Sequence, residues 1–310
     1  MSMPAAFKGR LRLPVIAAPM FLVSGPELVL ACCNAGVVGT FPSLNARPIE
    51  ELARWFERLA DGLEDGAAPY GVNLIVHRSN ARLNEDTALV VENRVPLVIT
   101  SVGHPGDIVE KVHGYGGLVF HDVIHMRHAE KAIEAGVDGI IAVCAGAGGH
   151  AGTLSPFAFI PALREKFDGA IVLAGAISDG RGVRAAEALG ADFAYMGTRF
   201  IATQESAADD AYRAMIVECS AEDIVYTDRV SGIMGNFLKP SLIAAGVDPT
   251  PATAPKAVNM DLSNRETGEK KAGQAWKTIW SAGQGCAAIH DVPTVSDLVA
   301  RLESEYRTAC

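Results

Sequence analysis

Aromatic residues make up only 6% of the 310 residues, and charged residues only 20%, against about 25% charged in an average globular chain. That favours close packing of small residues and tight turns over a core built on large rings, and 31 glycines are available for it. Basic charge is in deficit: 27 Lys and Arg against 36 Asp and Glu leave a net charge of −9. That balance argues against a general nucleic-acid binder. The six cysteines (Cys32, Cys33, Cys144, Cys219, Cys286 and Cys310) lack any C-x-x-C spacing and any histidines at zinc-finger distance. They read as unpaired thiols of a reducing compartment. No apolar run reaches the ~18 residues that span a bilayer. The run Leu13–Val23 follows Lys8, Arg10 and Arg12 in the manner of a signal peptide, but Pro14 and Pro19 interrupt it and no convincing A-x-A cleavage site follows. It reads as a buried first strand, and the expected location is cytoplasmic with no membrane partner.

What the chain does contain is a recurring punctuation. Asn34-Ala35-Gly36-Val37-Val38, Glu134-Ala135-Gly136-Val137-Asp138 and Ala188-Leu189-Gly190-Ala191-Asp192 each place a glycine after a helix-like stretch and before an apolar run. Glycine at that position ends a helix in the left-handed conformation. An apolar run without alternation is a strand buried on both faces. Eight candidate strands follow: Leu13–Pro19, Val37–Phe41, Tyr70–Ile75, Leu97–Ser101, Gly117–His121, Gly139–Cys144, Ala170–Gly175 and Phe193–Gly197. Helical patterns at Pro26–Asn34, Ile49–Leu63, Glu85–Asn93, Pro105–His113, Met126–Ala135, Phe157–Phe167 and Gly182–Leu189 lie between them. Strand alternating with helix predicts a parallel sheet with right-handed crossovers. The expected fold class is α/β, a TIM (β/α)8 barrel, with an open doubly wound sheet as the alternative, since periodicity does not prove closure.

Length alone suggests about two domains at ~150 residues each. The pattern does change after Arg199. Residues 206–274 hold a helical stretch at Asp209–Cys219, a Gly/Met/Asn segment at Gly232–Asn236 and prolines at 249, 251 and 255, without strand–helix alternation. They are expected to form a small helical insertion over the C-terminal mouth of a barrel made of residues 1–205 and 275–310. Trp276–Ile289 and Val295–Tyr306 are expected as helices on the barrel wall.

Chemistry-bearing residues cluster after the strands. Gly146-Ala147-Gly148-Gly149-His150-Ala151-Gly152 follows the sixth strand directly, and strand C-termini form the active face of such barrels. Its glycines let backbone approach a flat ligand, with His150 aimed at a substrate; the alternative is a flexible loop with an exposed histidine. The string also satisfies G-x-G-x-x-A. Glu165, at the right distance for a dinucleotide fingerprint, falls in a helical stretch instead of at the end of the next strand, so a Rossmann site is rejected. Two glycine turns, at 174–182 and 196–200, follow the seventh and eighth strands, where TIM barrels often bind phosphate. Backbone N–H groups there, with the Thr198 hydroxyl, make an anion site; two routine βα turns are the alternative. Asn73, polar in an apolar strand, is placed to bond either a cofactor ring or a loop backbone group. His121 and Asp122 end the fifth strand with His125 and His128 beyond, but the later two fit a helix N-terminal turn, and no metal is expected.

On these residues the chain resembles the nitronate monooxygenase family, formerly the 2-nitropropane dioxygenases, a group that also holds flavin-dependent enoyl-ACP reductases and NADH:quinone reductases. The carriers are Ala17-Ala18-Pro19-Met20, Gly71-Val72-Asn73-Leu74, Ala147-Gly148-Gly149-His150-Ala151-Gly152, Gly175 with Asp179-Gly180-Arg181-Gly182, Met196-Gly197-Thr198-Arg199-Phe200 and Ser281-Ala282-Gly283-Gln284-Gly285. The resemblance implies a barrel holding FMN non-covalently at its C-terminal mouth. It implies Ala18, Pro19, Met20 and Asn73 against the flavin ring, Gly148 and Gly149 approaching it by backbone, and Gly175, Ala176, Met196, Gly197 and Thr198 around the phosphate. Gln284 lies near the cofactor and His150 matches the catalytic histidine. The implied reaction is oxidation of alkyl nitronates or nitroalkanes by O₂ to a carbonyl compound and nitrite, with His150 as general base. The alternative is an NAD(P)H-dependent FMN reductase acting on a quinone or an enoyl thioester. A homodimer is the default assembly. The chain departs from the family pattern at Gly146, where many members carry glutamate, and at His121-Asp122, where relatives often have a lysine near the flavin.

Overall fold

The computed structural model describes residues 3–250 and 278–309. The strands are β1 (Val15–Ala17), β2 (Val38–Pro42), β3 (Gly71–Ile75), β4 (Leu97–Ser101), β5 (Leu118–Val123), β6 (Gly139–Val143), a two-residue β7 (Gly149–His150), β8 (Ala170–Ala174) and β9 (Phe193–Met196). Between them run α1 (Pro26–Asn34), α2 (Glu50–Gly62), α3 (Leu83–Glu92), α4 (Ile108–His113), α5 (Met126–Glu134), α6 (Pro156–Arg164) and α7 (Gly180–Leu189). All the strands except β7 pair in parallel, in the order β1-β2-β3-β4-β5-β6-β8-β9. The sheet closes where Ile16 pairs with Tyr195, so the barrel and not the open sheet is correct. Gly36, Gly136 and Gly190 all take positive φ, as their place behind helices predicts.

The two faces of the strands feed two cores. Ile16, Val38, Leu97, Ile99, Phe120, Ile141, Val172 and Phe193 fill the barrel interior. Phe7, from a short turn before β1, packs on Phe193 and Phe120 with ring centroids 5.2 and 6.2 Å apart and closes the end where β9 begins. Residues of opposite parity pack outward against the helices.

Past β9 come α8 (Thr198–Ile201), α9 (Asp210–Glu218), β10 (Ile224–Thr227), β11 (Gly235–Leu238), α10 (Lys239–Ala244) and α11 (Val295–Thr308). The segment expected as a small helical insertion holds α9 and α10 but also two strands. β10 and β11 form an antiparallel pair, and β11 also pairs with β7, giving a separate three-stranded sheet. Trp276–Ile289 is likewise not a helix where it is described. Residues 278–283 carry no helical turn, and Gln284–Ala288 form a 3₁₀ turn. Trp276, Pro251, Pro255 and Cys310 lie outside the described residues. Cys32, Cys33, Cys144, Cys219 and Cys286 are buried free thiols. Among the described residues no helix is long and apolar enough to cross a membrane.

Candidate active site

The C-terminal ends of the barrel strands open into a cavity of about 630 Å³. Ala18, Pro19, Met20, Asn73, Gly148, Gly149, His150, Gly175, Ala176, Gly197 and Thr198 all line it, so the structure brings together residues spread over 180 positions of sequence. Two expected residues stay outside. Met196 has the wrong parity: Phe193 and Tyr195 face the barrel interior, while Ala194 and Met196 face the helices. Its carbonyl accepts the Ala18 N–H at 3.0 Å, so it holds the β1 loop from behind. Gln284 is exposed, and its backbone N–H donates to the Gly146 carbonyl at 2.9 Å.

Local hydrogen bonds fix each part of the wall. Asn45 Nδ2 donates to the carbonyls of Met20 and Ser24 at 2.9 and 2.8 Å, shaping the loop after β1. Asn236 Nδ2 donates to the Ala147 carbonyl at 2.6 Å, and the Tyr226 hydroxyl donates to the Ala151 carbonyl at 3.0 Å. The glycine string is thus stitched to β10 and β11 on both sides of His150. His150 Nε2 lies 3.3 Å from Ser231 Oγ, in the loop between β10 and β11. A strap, residues 281–285, crosses the remaining side. Its Gly283 N–H donates to Thr198 Oγ1 at 2.9 Å. A Cβ on Gly148 would sit 2.8 Å from Gly283 N, so this contact requires glycine.

The cavity is mostly apolar, with few charges. Burial first, then neighbouring His104 and His128, push His121 down to about 4, which keeps it neutral; its Nδ1 is 2.7 Å from Thr100 Oγ1. Burial pushes the Asp122 carboxyl up to about 6 against the lowering effect of its Ser101 hydrogen bond. The Cys144 thiol is driven up to about 12 by burial, so no reactive thiolate stands behind the glycine string. His125 accepts the His128 N–H as the cap of α5. Among the described residues no three His, Cys, Asp or Glu side chains gather as a metal site.

Several wall residues escape sequence reading. Tyr195 is hidden in an apolar strand. Tyr212 and Trp280 stack at 5.1 Å, and the Tyr212 hydroxyl donates to the Ser281 carbonyl; both rings line the cavity from segments distant in the chain. Three buried polar atoms on this wall, Asp122 Oδ1, Ser178 Oγ and Tyr195 Oη, have no partner among the described residues. Such atoms are costly unless an occupant bonds them.

Known proteins share this architecture. The chain is 28% identical to a nitronate monooxygenase of Paraburkholderia phytofirmans, over 95% of its own length and 92% of that protein's. It superposes on the nitroalkane oxidase of Streptomyces ansochromogenes with a TM-score of 0.82 and 25% identity, covering 98% of this chain and 99% of the other. FabK of Thermotoga maritima gives a TM-score of 0.80 and 25% identity, covering 96% and 94%. The family model described as nitronate monooxygenase matches residues 46–305, from the loop after β2 into α11. The chain therefore belongs to the nitronate monooxygenase family and is an oxidoreductase of that type.

Proposed function

We propose that the protein oxidises alkyl nitronates, and nitroalkanes after loss of their α-proton, to a carbonyl compound and nitrite with O₂, using FMN held in the barrel mouth. The residues present fit that group. Gly175 and Ala176 both line the cavity with positive φ, +147° and +55°, a sharp turn after β8 whose backbone would face the phosphate. Thr198 Oγ1 accepts from Gly283 and so keeps its own proton for a phosphate oxygen. Ser178 Oγ, buried without a partner among the described residues, adds a donor at the same end. Pro19, Met20 and the Tyr212–Trp280 stack offer flat apolar surface to a ring. When bound, FMN supplies the electron-accepting ring and its reaction with O₂.

His150 does the proton work. Imidazole titrates near neutrality and suits removal of a weakly acidic C–H. Ser231 Oγ, also in contact with the Ile233 carbonyl at 3.2 Å, orients the ring toward the cavity. A preformed nitronate has already lost the proton and needs no base. The observation that carries this reading is the pairing of β7 with β11, which turns His150 into the cavity that the glycine turns after β8 and β9 also line. Accordingly, His150→Asn is expected to lower kcat/KM for a nitroalkane by about a hundredfold or more, while nitronate turnover falls far less. Equal losses on both substrates would refute the base role. Rapid anaerobic bleaching of the bound flavin by NADH or NADPH would favour the reductase alternative.

A further inference from the structure

Among the described residues the cavity wall carries a single carboxylate, Asp122 on β5, and the reaction above gives it no task. Its two oxygens are in different situations. Oδ2 accepts the Ser101 hydroxyl at 2.5 Å. Ser101 Oγ accepts from Asn73 Nδ2 at 2.6 Å, and the same amide nitrogen donates to the Ile99 carbonyl at 3.1 Å. A carbonyl can only accept, so the direction of the row is set: Asn73 gives to Ser101, and Ser101 gives to Asp122. Oδ2 therefore stays an acceptor in either protonation state. Oδ1 is buried and has no partner among the described residues. It is the one place on this carboxyl for a proton.

The surroundings favour putting one there. Among the described residues the titratable groups facing the cavity are Tyr195 from β9, His121 from β5 itself, His104 from the loop after β4, His128 and Lys131 from α5, His150 from β7, and Tyr212 from α9, whose phenol burial keeps protonated. None of them holds the carboxylate ionised; burial dominates and leaves it titrating at about 6. Burial, reinforced by the Asp122 charge, raises the Tyr195 phenol well above its ordinary range, so Tyr195 stays protonated. An anionic occupant would add a like charge to the same cavity, and that favours the neutral acid.

We propose that Asp122 works as a protonated carboxylic acid in the loaded enzyme: filling the cavity with FMN leaves one proton on Oδ1, and that O–H is a hydrogen-bond donor of the cavity floor. This rests on the FMN reading given above. A group whose pKa rises on binding takes up a proton, so FMN affinity is steady below the unloaded pKa and declines as pH climbs past it. Between pH 7 and 8 the wild-type affinity is expected to weaken by up to about tenfold relative to Asp122→Asn. Titration calorimetry of the flavin-stripped full chain with FMN at pH 7, in buffers of different ionisation enthalpy, counts the protons. Wild type should take up close to one more than Asp122→Asn; titration of the FMN phosphate is common to both and cancels. In wild type alone, the loaded-minus-unloaded infrared difference spectrum should show the band of a protonated carboxyl. Absence of that band overturns the proposal even if the variant does not fold. Equal proton counts and parallel pH profiles, with FMN bound tightly, also overturn it while leaving the cofactor reading intact. Failure of wild type to bind FMN at any pH overturns the cofactor reading itself.

Discussion

At Gly283 two stretches of backbone meet with no side chain between them. A Cβ there would lie 2.5 Å from the Gly146 carbonyl oxygen and 2.8 Å from Gly148 N, and neither atom has a flexible end to swing aside. Gly283→Ala should push the strap off the glycine string, costing about 2 kcal/mol of stability and most of the FMN affinity. Gly66 makes the contrast. Its φ is +80° and nothing stands within 4 Å of an added Cβ. Gly66→Ala should cost about 1 kcal/mol from backbone strain alone and leave FMN binding unchanged. Denaturant unfolding and quenching of flavin fluorescence measure both effects. Glycines of this kind are legible in sequence because they sit in the turns that follow strand ends, as Gly148 and Gly175 do. Met196 and Tyr195 were not separable in that way. They are adjacent in one apolar run, and only the parity set by barrel closure sends Tyr195 into the cavity and Met196 toward the helices.

Among elements, the barrel strands are legible because they are buried on both faces, and β2, β6 and β9 follow a helix-ending glycine at Gly36, Gly136 and Gly190. The sheet of β7, β10 and β11 did not. β7 has two residues inside a glycine string, too few for any period, and the Gly/Met/Asn composition around Gly232–Asn236 reads as loop. Yet this sheet positions the histidine: Gly235 pairs with His150 and Asn236 with Gly149. Asn236 adds the hydrogen bond from its side chain to the Ala147 carbonyl. Asn236→Ala leaves the strand pairing in place and removes that one bond, so stability should fall by only about 1 kcal/mol. Nitroalkane turnover should fall more, by about tenfold, if His150 is the base, because a small displacement of that group weighs on the rate far more than on folding. Parallel measurements of unfolding free energy and kcat decide the matter. A loss of turnover no larger than the loss of stability would show that the stitching does not govern His150.

For the whole molecule, the cavity wall is shared by parts that lie far apart in the chain. Its wall takes Pro19 and Asn73 from the first half of the barrel, Gly175 and Thr198 from the second, Tyr212 and Ser231 from the segment after α8, and Trp280 with Gly283 of the strap. An occupant that touches all of them binds the folded chain and not the unfolded one, and it stabilises by mass action. At a free concentration one hundredfold above Kd the gain is about 2.7 kcal/mol. For a chain of this size that corresponds to a rise in Tm of roughly 4 °C. FMN should produce that shift in the flavin-stripped protein. Riboflavin, which keeps the ring and lacks the phosphate, should produce a clearly smaller one at equal concentration, because the turns at Gly175–Ala176 and Gly197–Thr198 would have nothing to hold. Equal shifts from the two ligands would remove those turns from the binding site. The absence of any shift with FMN in excess would mean that the cavity serves some other ligand.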